Sequence, residues 1–551
     1  MIRKMVTDGL DQARAQGTLE FAEIVDFVVE QPREAAHGDF ATNAAMVMAK
    51  VCHCSPRNIA ALLCQYIETM IATGKSAVAQ VEIAGPGFIN FRMRENWLAE
   101  CLREILAEGD DFGRSEAGKG QKVQVEFVSA NPTGELHMGN ARGAAIGDSL
   151  AGVLDLAGFQ VEREFYINDA GNQIEKFGLS LDALYRTALG DEVPFPEDGY
   201  HGADLPLLIQ DLVAKESDKY LALPEEQRRA ALADYALGVK IADIRQALAN
   251  FGVEYDVWFS ERSLHQSGAV QNILDKLEQD GWLLRQDGAV WLDCQRFGEE
   301  KPEVLVRANG IPTYFAADIA YHDHKFKRGF TTVIDIWGAD HHGHVARMQG
   351  AMEAIGYKKE QLEVILMQFV RLYQGGELLK MSKRTGTYVT LNELVEEVGR
   401  DAARFFFVTR SADSLIDFDL DLAKKQSADN PVYYVQYAHA RICSILAGAP
   451  VGALEGEIDG TVLNSEAEQK LLRKLADFPD EVITAALSRE PHRVAVYVLE
   501  LAGQFHNFYG QCHCLVDDPL LMRGRLQLAR LTAQVIRRAL QVLGVSAPEK
   551  M

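Results

Sequence analysis

The sequence predicts a multidomain protein: a small α/β N-terminal domain, a larger α/β domain with a parallel sheet, and an all-α C-terminal bundle. Three observations support this fold class. The chain has 551 residues, more than one hydrophobic core usually organises. In its middle, buried-strand patterns alternate with helical patterns, as in parallel α/β sheets. From about residue 404 the apolar periodicity is helical and stays so to the end.

The first domain is placed at residues 1–112. It closes with the strand-like segment VEIAGPGFINFRM, which begins at Val81. Residues 113–121 (GRSEAGKGQ) are rich in glycine and charge, which indicates a linker. We therefore place the second domain at 118–410 and the third at 411–551.

The second domain opens with a buried-strand pattern at 123–128 (VQVEFV), a loop, and a helix from about 141 to 156. Strand–loop–helix is the opening unit of a Rossmann-like sheet. Residues 190–300 interrupt this rhythm with acidic, proline-containing loops and a helical stretch, so we interpret them as an insertion. Further strands are expected at 161–167, 332–337 and 364–368.

Composition favours a protein of the cytoplasm with no membrane association. Hydrophobic residues make up 48% and charged residues 25% of the chain, as in soluble globular proteins. No apolar run approaches the roughly 18 residues of a membrane helix. The N-terminus lacks the apolar core and cleavage site of a signal peptide. Eight cysteines are sparse for this length, which suits a reducing compartment.

The net charge of −23 argues against nucleic-acid binding by the chain as a whole, because phosphates are neutralised by Lys and Arg. The charge is uneven, however, since residues 431–551 carry only −1. An arginine-bearing helix near the C-terminus could face RNA, although a solvated helix face is the favoured interpretation of the arginines alone. These arginines are Arg523, Arg525, Arg530, Arg537 and Arg538.

A first motif, NPTGELHMGN at 131–140, lies at the strand-to-helix turn. It contains no G-x-G-x-x-G, so a dinucleotide fingerprint is not supported. His137 and Asn140 stand where free N–H groups and the helix dipole favour phosphate oxygens. Gly139 has no Cβ and allows a base or ribose to approach closely. An ordinary capped helix would look the same, so the motif is weak evidence alone.

A second motif, KMSK at 380–383, follows Gly375 and Gly376. Two lysines on a glycine-flanked loop can close over a triphosphate and neutralise charge as pyrophosphate leaves. A basic surface loop is the alternative for this motif alone. In this order, with α/β sequence between them, the two motifs resemble the paired signatures of class I aminoacyl-tRNA synthetases. Asn140 and Arg384 depart from the usual residues, which leaves the role of position 140 open.

The resemblance narrows to the arginyl-tRNA synthetase family and covers nearly the whole chain. Besides the first motif, the central segments are YINDAGNQ (166–173), YFAADIAYH (314–322) and WGADHHGH (337–344). HGDFATNAA at 37–45 resembles the family's N-terminal tRNA-binding domain. The segments YVQYAHARI (434–442), RLQLARLTAQVI (525–536) and the ending LGVSAPEKM resemble its helical anticodon-binding domain.

The resemblance implies which residues form the site. The catalytic residues are His137, Asn140, Lys380 and Lys383. The ATP-binding residues are Ala130, Asn131, Pro132, Thr133, Gly134, Glu135, Leu136, His137, Met138, Gly139, Asn140, Met381 and Ser382. The arginine-binding residues are Glu126, Ser129, Asn131, Tyr314, Asp318 and Asp340. Buried carboxylates suit the planar guanidinium, which is always charged.

The resemblance also implies a two-step reaction: ATP-dependent formation of arginyl-adenylate, then transfer to the terminal adenosine of tRNA(Arg). We expect Mg²⁺ with ATP, a monomer, and no structural zinc. Asp340 and the histidines at 341, 342 and 344 lie too close together to surround one tetrahedral ion easily. The Cys-His-Cys triplets at 52–54 and 512–514 are interpreted as ordinary helix or turn residues.

Two alternatives stay open. Another class I synthetase, such as the cysteinyl type, would usually need zinc-binding cysteines in the catalytic domain, and only Cys294 lies between 102 and 442. A non-catalytic tRNA-binding paralogue should have lost motif side chains, and this chain keeps His137, Lys380 and Lys383.

Overall fold

A computed structural model describes residues 2–30, 32, 34, 37–73, 76–94, 97–200, 202, 204–379, 389–456 and 460–551. The N-terminal part contains a four-stranded antiparallel sheet in the order β1-β2-β4-β3, with helices packed against it. Its elements are α1 (Ile2–Ala15), β1 (Val29–Glu30), β2 (Phe40–Thr42), α2 (Ala44–Val51), α3 (Pro56–Ala72), β3 (Val78–Ala84), β4 (Phe88–Met93) and α4 (Trp97–Glu108). The segment predicted as one strand from Val81 is a hairpin, because Gly85 and Gly87 take positive φ and reverse the chain.

The middle part is built on a five-stranded parallel sheet in the order β12-β11-β5-β6-β7. Its elements are β5 (Lys122–Glu126), α5 (Met138–Leu156), β6 (Gln160–Ile167), α6 (Asn172–Ala188), α7 (Leu205–Glu216), α8 (Glu225–Asn250), β7 (Val257–Ser260), α9 (Glu261–Gln266), α10 (Ala269–Gln279), β8 (Leu283–Gln286), β9 (Ala289–Leu292), β10 (Glu303–Val306), α11 (Tyr314–Lys327), β11 (Thr332–Gly338), α12 (His342–Ala354) and β12 (Leu362–Met367). The predicted strands at 123–128, 161–167, 332–337 and 364–368 are confirmed with small shifts at their ends. The helix predicted from Ala141 begins three residues earlier.

The segment interpreted as an insertion, 190–300, is not wholly outside the main sheet. Its strand β7 pairs in parallel with β6 and forms one edge of that sheet. The four residues of β7 are too few to show a clear alternation, which is why the sequence pattern missed it. Strands β8 to β10 form a separate antiparallel sheet, and α6 to α8 share a hydrophobic core.

The C-terminal part is mostly helical. Its elements are β13 (Val370–Gln374), β14 (Glu377–Leu378), α13 (Leu391–Val398), α14 (Arg400–Val408), β15 (Ile416–Asp419), α15 (Leu420–Lys424), α16 (Pro431–Ala447), α17 (Glu466–Ala476), α18 (Phe478–Ser488), α19 (His492–Gln511) and α20 (Pro519–Val542). The prediction of unbroken helix after 404 is wrong at β15, which pairs in parallel with β13. Ile416 and Phe418 are buried there and Asp417 is exposed, an alternation of period two. Within the described ranges, no helix is long and apolar enough to span a membrane.

Helix α5 lies at the centre of the molecule. It packs on the parallel sheet and also contacts α14, α18 and α20. Fourteen of its 19 residues are buried, and many of them are small. A helix that is covered on all sides needs apolar or small residues all round, which is what this sequence provides. Gly147 is the tightest point, because a Cβ built there would overlap the ring of Phe127.

Helix α11 is held on the same sheet by buried charges. The Nζ of Lys325 donates to Glu126 on β5 at 2.5 Å and to Asp335 on β11 at 2.8 Å. His322 contacts the second oxygen of Asp335 at 2.7 Å. Burial alone would raise the pKa of Asp335, but Lys325 and His322 lower it to about 2. These contacts fix the height and rotation of α11 over the strands.

We expect Gly147→Ala to destabilise the protein by about 1–3 kcal/mol, because the added methyl group overpacks the interface between α5 and β5. The measurement is urea unfolding followed by circular dichroism. Gly238→Ala is the matched control, since Gly238 lies in α8 with nothing within 4 Å of an added Cβ. That substitution should leave stability unchanged or raise it by up to about 1 kcal/mol. Equal effects of the two substitutions would contradict the packing described for α5.

We expect Lys325→Met to cost about 3–5 kcal/mol at pH 7, because two buried carboxylates lose their cation. Without Lys325 the folded pKa values of Glu126 and Asp335 would exceed their unfolded values. The folded state would then bind protons more tightly, so the deficit should shrink as the pH falls from 7 to 5. Lys359→Met is the control, since Lys359 is exposed. A deficit independent of pH would show that these carboxylates do not depend on Lys325.

Candidate functional site

The predicted site residues gather at the carboxyl edge of the parallel sheet. The chain runs from β5 to β6 and β7 on one side, and later returns to β11 and β12 on the other side. The direction of winding therefore reverses between β5 and β11. A crevice opens at such a switch point in α/β sheets, and ligands bind there. Loops that follow β5, β6, β7 and β11 all end at this edge.

The loop after β5 begins with strained backbone. Val128 and Ser129 take φ values of 69° and 38°, which are unfavourable for residues with a Cβ and are often found at functional sites. The Ser129 hydroxyl donates to Glu126 at 2.8 Å and accepts from the backbone N–H of Tyr166 at 3.1 Å. Ser129 was predicted to contact the arginine substrate directly. Its hydroxyl joins β5 to β6 and orients Glu126, and its contact with arginine stays a prediction.

The HMGN motif forms the amino-terminal cap of α5. Nδ1 of His137 accepts from the N–H of Gly139 at 3.1 Å. Oδ1 of Asn140 accepts from the N–H of His137 at 3.0 Å, which completes a capping box. The predicted ATP-binding residues from Ala130 to Asn140 lie in this loop and the first turn of the helix, with Asn131 exposed and Leu136 and Met138 buried. The arrangement presents a helix N-terminus, which suits phosphate.

The structure describes the residues on both sides of the second motif, KMSK, but not the motif itself. Lys380, Met381, Ser382 and Lys383 lie outside the described residues. On the near side, Leu379 donates its N–H to Leu372 at 2.8 Å. On the far side, Met138 donates to Val389 at 3.2 Å and Leu391 donates to Leu136 at 2.8 Å. The backbone that follows the KMSK segment is therefore paired with the HMGN loop.

Three carboxylates lie together in the crevice beside this loop, and this acidic part of the crevice is called the cavity below. Glu126 comes from β5, Asp318 from α11, and Glu261 directly follows β7. Burial and the charge of Asp318 raise the pKa of Glu261 to about 7. Burial and the charges of Glu261, Asp318 and Glu126 also raise the pKa of Tyr166 far above its usual range. Because the same three carboxylates act on one ring, they must lie close together.

Two of these carboxylates lack a strong cationic partner. Among the described residues, the ion-pair partner of Glu261 is His265 at 3.6 Å and that of Asp318 is His344 at 3.5 Å. Glu126, in contrast, contacts the ammonium of Lys325, which it shares with Asp335. Glu261 is only 2% exposed. A buried carboxylate without a full counter-charge is costly, so the cavity is suited to an incoming cation.

Two other predicted arginine-binding residues, Tyr314 and Asp340, are exposed. Tyr314 begins α11 and is 43% exposed. Its hydroxyl would lie 3.6 Å from a Cβ built at Gly171, which has a φ of 77° and tolerates only glycine comfortably. Asp340 is exposed, and its ion-pair partner in the described part of the chain is His341 at 3.8 Å. The described contacts therefore do not join Asp340 to the three carboxylates.

Sequence reasoning missed Glu261, Lys325, His322 and Asp335. Glu261 follows β7, the strand that was not recognised, so its place at the sheet edge could not be seen. His322 ends the recognised segment 314–322 and Lys325 lies three residues beyond it, but nothing local in the sequence shows that both contact Asp335 or that Lys325 also contacts Glu126. No group of three or more His, Cys, Asp or Glu side chains that could hold a metal is found among the described residues.

A second surface lies on the C-terminal helices. The guanidinium of Arg441 lies 4.8 Å from the ring centroid of Tyr437 and 4.7 Å from that of Tyr509. Tyr433 stacks parallel to Tyr437, one turn earlier on α16. In contrast, several of the C-terminal arginines are engaged by the protein. Arg525 bonds Glu468 at 2.7 Å, and Arg537 bonds Asp110 at 2.8 Å. Aromatic groups, more than a basic helix, mark this surface.

Comparison with known families agrees with this architecture. Residues 1–93 match the family model described as arginyl tRNA synthetase N terminal domain. Residues 101–439 match the model for the catalytic domain of class I tRNA synthetases (R), and residues 435–551 match the DALR anticodon binding domain.

Full-length relatives are similar across the same span. The chain is 56% identical to an arginine–tRNA ligase of Moorella thermoacetica, with 99% of this chain and 98% of that relative covered. It is 55% identical to an arginine–tRNA ligase of Heliobacterium modesticaldum, with coverage of 100% and 98%. The solved structure of Thermus thermophilus arginyl-tRNA synthetase shares the fold, with a TM-score of 0.74, 24% identity and full coverage of both chains. From the three matching domain models and these relatives, the chain belongs to the arginyl-tRNA synthetase family of class I aminoacyl-tRNA synthetases.

Proposed function

We propose that the cavity and the helix N-terminus described above bind L-arginine and ATP side by side and join arginine to tRNA(Arg) in two steps. The arginine carboxylate attacks the α-phosphate of ATP, which gives arginyl-adenylate and pyrophosphate. A hydroxyl of the terminal adenosine of tRNA then attacks the adenylate carbonyl and releases AMP. The observation that carries this proposal is the pair of carboxylates, Glu261 and Asp318, that lack a full counter-charge beside a phosphate-binding helix N-terminus.

Glu261 and Asp318 are proposed to hold the guanidinium. Glu126 already contacts the Lys325 ammonium, which it shares with Asp335, so it is proposed to face the rest of the substrate instead of the guanidinium. A planar fork with five donors can satisfy two carboxylates at once, whereas a lysine ammonium offers only three donors from one point. Substrates that lack the fork would leave a buried carboxylate unpaired, which gives strong discrimination.

The ATP phosphates are proposed to lie at the start of α5, near His137 and Asn140. Because Oδ1 of Asn140 is taken up by the backbone, its amide NH₂ would make the phosphate contact. Lys380 and Lys383 are proposed to stabilise the charge that develops as pyrophosphate leaves. Mg²⁺ would arrive with ATP and be held mainly by its phosphates, since no cluster of protein ligands is found among the described residues.

The tRNA is proposed to contact both ends of the chain, with residues 1–112, 118–410 and 411–551 acting as three units. The rings of Tyr437 and Tyr509 on either side of Arg441 provide faces on which unpaired anticodon bases can stack. Stacking needs little net positive charge, which reconciles RNA binding with the charge of −1 over 431–551. We further propose that the protein acts as a monomer in the cytoplasm.

The direct test of the substrate is charging of total tRNA with each labelled amino acid in turn. Arginine alone should be incorporated, in an ATP-dependent reaction. Incorporation of another amino acid, such as cysteine, would favour a different synthetase. Tight tRNA binding without any charging would favour a non-catalytic tRNA-binding protein.

We expect kcat/KM for arginine to fall about tenfold per pH unit below pH 7. Glu261 has a pKa of about 7 in the empty cavity, so below that pH it must lose a proton before it can pair with the guanidinium. Glu261→Gln should remove this pH dependence and lower kcat/KM about 10- to 100-fold, as for a lost hydrogen bond between charged groups. Aminoacylation with saturating ATP and tRNA between pH 6 and 8.5 measures both effects.

Glu278→Gln on the exposed face of α10 is the control for this experiment. It should keep both the activity and the pH profile of the unaltered protein. If Glu261→Gln retains the same fall in kcat/KM below pH 7, Glu261 is not the group that must lose the proton.

We expect Tyr509→Ala to raise KM for tRNA about tenfold, because stacking of one base contributes about 1–3 kcal/mol. The kcat for aminoacylation at saturating tRNA should change little, since the ring contacts described for Tyr509 are with Arg441 and Phe505, which are not residues of the proposed catalytic site. Val496→Ala, at an exposed position on the same helix, is the matched control. A Tyr509→Ala protein with an unchanged KM for tRNA would contradict the anticodon surface. Deletion of 431–551 is a poorer test, because α20 packs directly against α5.

A further inference from the structure

Arg404 on α14 joins four segments in the interior. It is 0% exposed. Its Nη2 contacts Asp148 of α5 at 2.5 Å, and its Nε donates to the carbonyl of Leu543, at the end of α20, at 3.0 Å. Its Nη1 donates to the carbonyls of Phe251 and Gly252, which follow α8, at 3.2 and 3.1 Å. One guanidinium thus serves four oxygens from three other parts of the chain.

The end of α20 also presses directly on α5. The Ser149 hydroxyl lies 3.5 Å from the carbonyl of Leu543. A Cβ built at Gly152 would lie only 2.9 Å from the carbonyl of Val542. Gly544 takes a φ of 67°, and a Cβ there would overlap the guanidinium of Arg404. The end of α20, the long helix of the anticodon-binding domain, is therefore in close contact with α5, the helix of the HMGN motif. The contact is made by the backbone at the end of α20 and by Arg404.

The other end of α5 is the proposed ATP site. His137 caps that end, about 11 residues or roughly 16 Å from Asp148 along the helix axis. A buried, continuous helix moves as a unit, so a displacement at Asp148 reaches the cap with little loss. A misplacement of about 1 Å at a reacting centre can cost on the order of 100-fold in rate.

We propose that Arg404 is a positioning residue: it sets α5, and with it the HMGN cap, in register with the end of the anticodon-binding helix α20. An arginine is required because its planar guanidinium directs several N–H donors outward, toward four separate oxygens. A lysine would supply at most three donors from one nitrogen and could not reach all four oxygens. This inference rests on the proposed ATP site at the cap of α5.

The main test is Arg404→Lys, with arginine-dependent ATP–pyrophosphate exchange measured at saturating tRNA and arginine. We expect kcat to fall about tenfold or more, while KM for tRNA in aminoacylation stays within about twofold. A purely structural role would lower the melting temperature without this separation of kcat from KM. Arg489→Gln is the matched control. Arg489 links α18 to β12 through Glu363 at 2.8 Å, so it joins the same domains without contacting Asp148.

A double substitution shows whether Arg404 acts through the cap of α5. His137→Ala alone should lower kcat, as the proposed site requires. If Arg404 works by placing that cap, the loss in His137→Ala with Arg404→Lys should be clearly smaller than the product of the two single losses. A multiplicative loss would overturn the proposal. Unchanged exchange in His137→Ala alone would instead overturn the proposed site, and this inference with it.

Gly544→Ala provides a second approach if Arg404→Lys does not fold. This substitution leaves Arg404 in the protein, but the added methyl group pushes the guanidinium away from the end of α20. Gly281→Ala is its control, because Gly281 has a similar φ of 71° and nothing within 4 Å of an added Cβ. We expect exchange to fall in Gly544→Ala and to be retained in Gly281→Ala. Wild-type kcat in folded Arg404→Lys or Gly544→Ala, or an equal loss in Arg489→Gln, would overturn the proposal.

Discussion

The contact between Lys325 and the carboxylates of Glu126 and Asp335 is the constraint on which the site depends. It ties α11 to β5 and β11, the two strands between which the sheet changes direction. Because α11 also carries Tyr314 and Asp318, the position of the cavity wall follows from this buried contact. A buried ion pair contributes little net stability compared with apolar packing. Its value here is geometric, since it fixes one helix at one height over the strands.

The same ammonium also divides the carboxylates into two classes. Glu126 shares the Lys325 ammonium with Asp335, whereas Glu261 and Asp318 have only histidines as ion-pair partners among the described residues. A cavity with three uncompensated carboxylates would be hard to fold, and a cavity with none would not select a cation. Lys325 thus allows an acidic cavity to exist in a stable core while two charges stay available for a ligand.

Much of the architecture could be predicted from local pattern. The strands at 123–128, 161–167, 332–337 and 364–368 are recognisable because buried parallel strands are short apolar runs. The HMGN loop was found because a cap and a helix start are close together in the sequence. Glu261 could not be found, because β7 has only four residues and gives no periodic signal. Lys325 could not be paired with Glu126, since their contact joins residues 199 positions apart. The family resemblance predicts Ser129 as a substrate ligand, but the hydrogen bond between its hydroxyl and the N–H of Tyr166 joins residues 37 positions apart and could not be predicted.

The elevated pKa of Glu261 has a calorimetric consequence. At pH 7 about half of the empty molecules would carry a proton on this carboxylate, because its pKa is about 7. Pairing with a guanidinium removes that proton and delivers it to the solvent. The apparent enthalpy of arginine binding should therefore depend on the ionisation heat of the buffer, with about half a proton released at pH 7 and almost none at pH 9. Before arginine binds, a proton neutralises Glu261 in about half of the molecules, so the folded protein does not maintain a full buried charge. When arginine binds, its positive charge replaces that proton as the partner of the carboxylate.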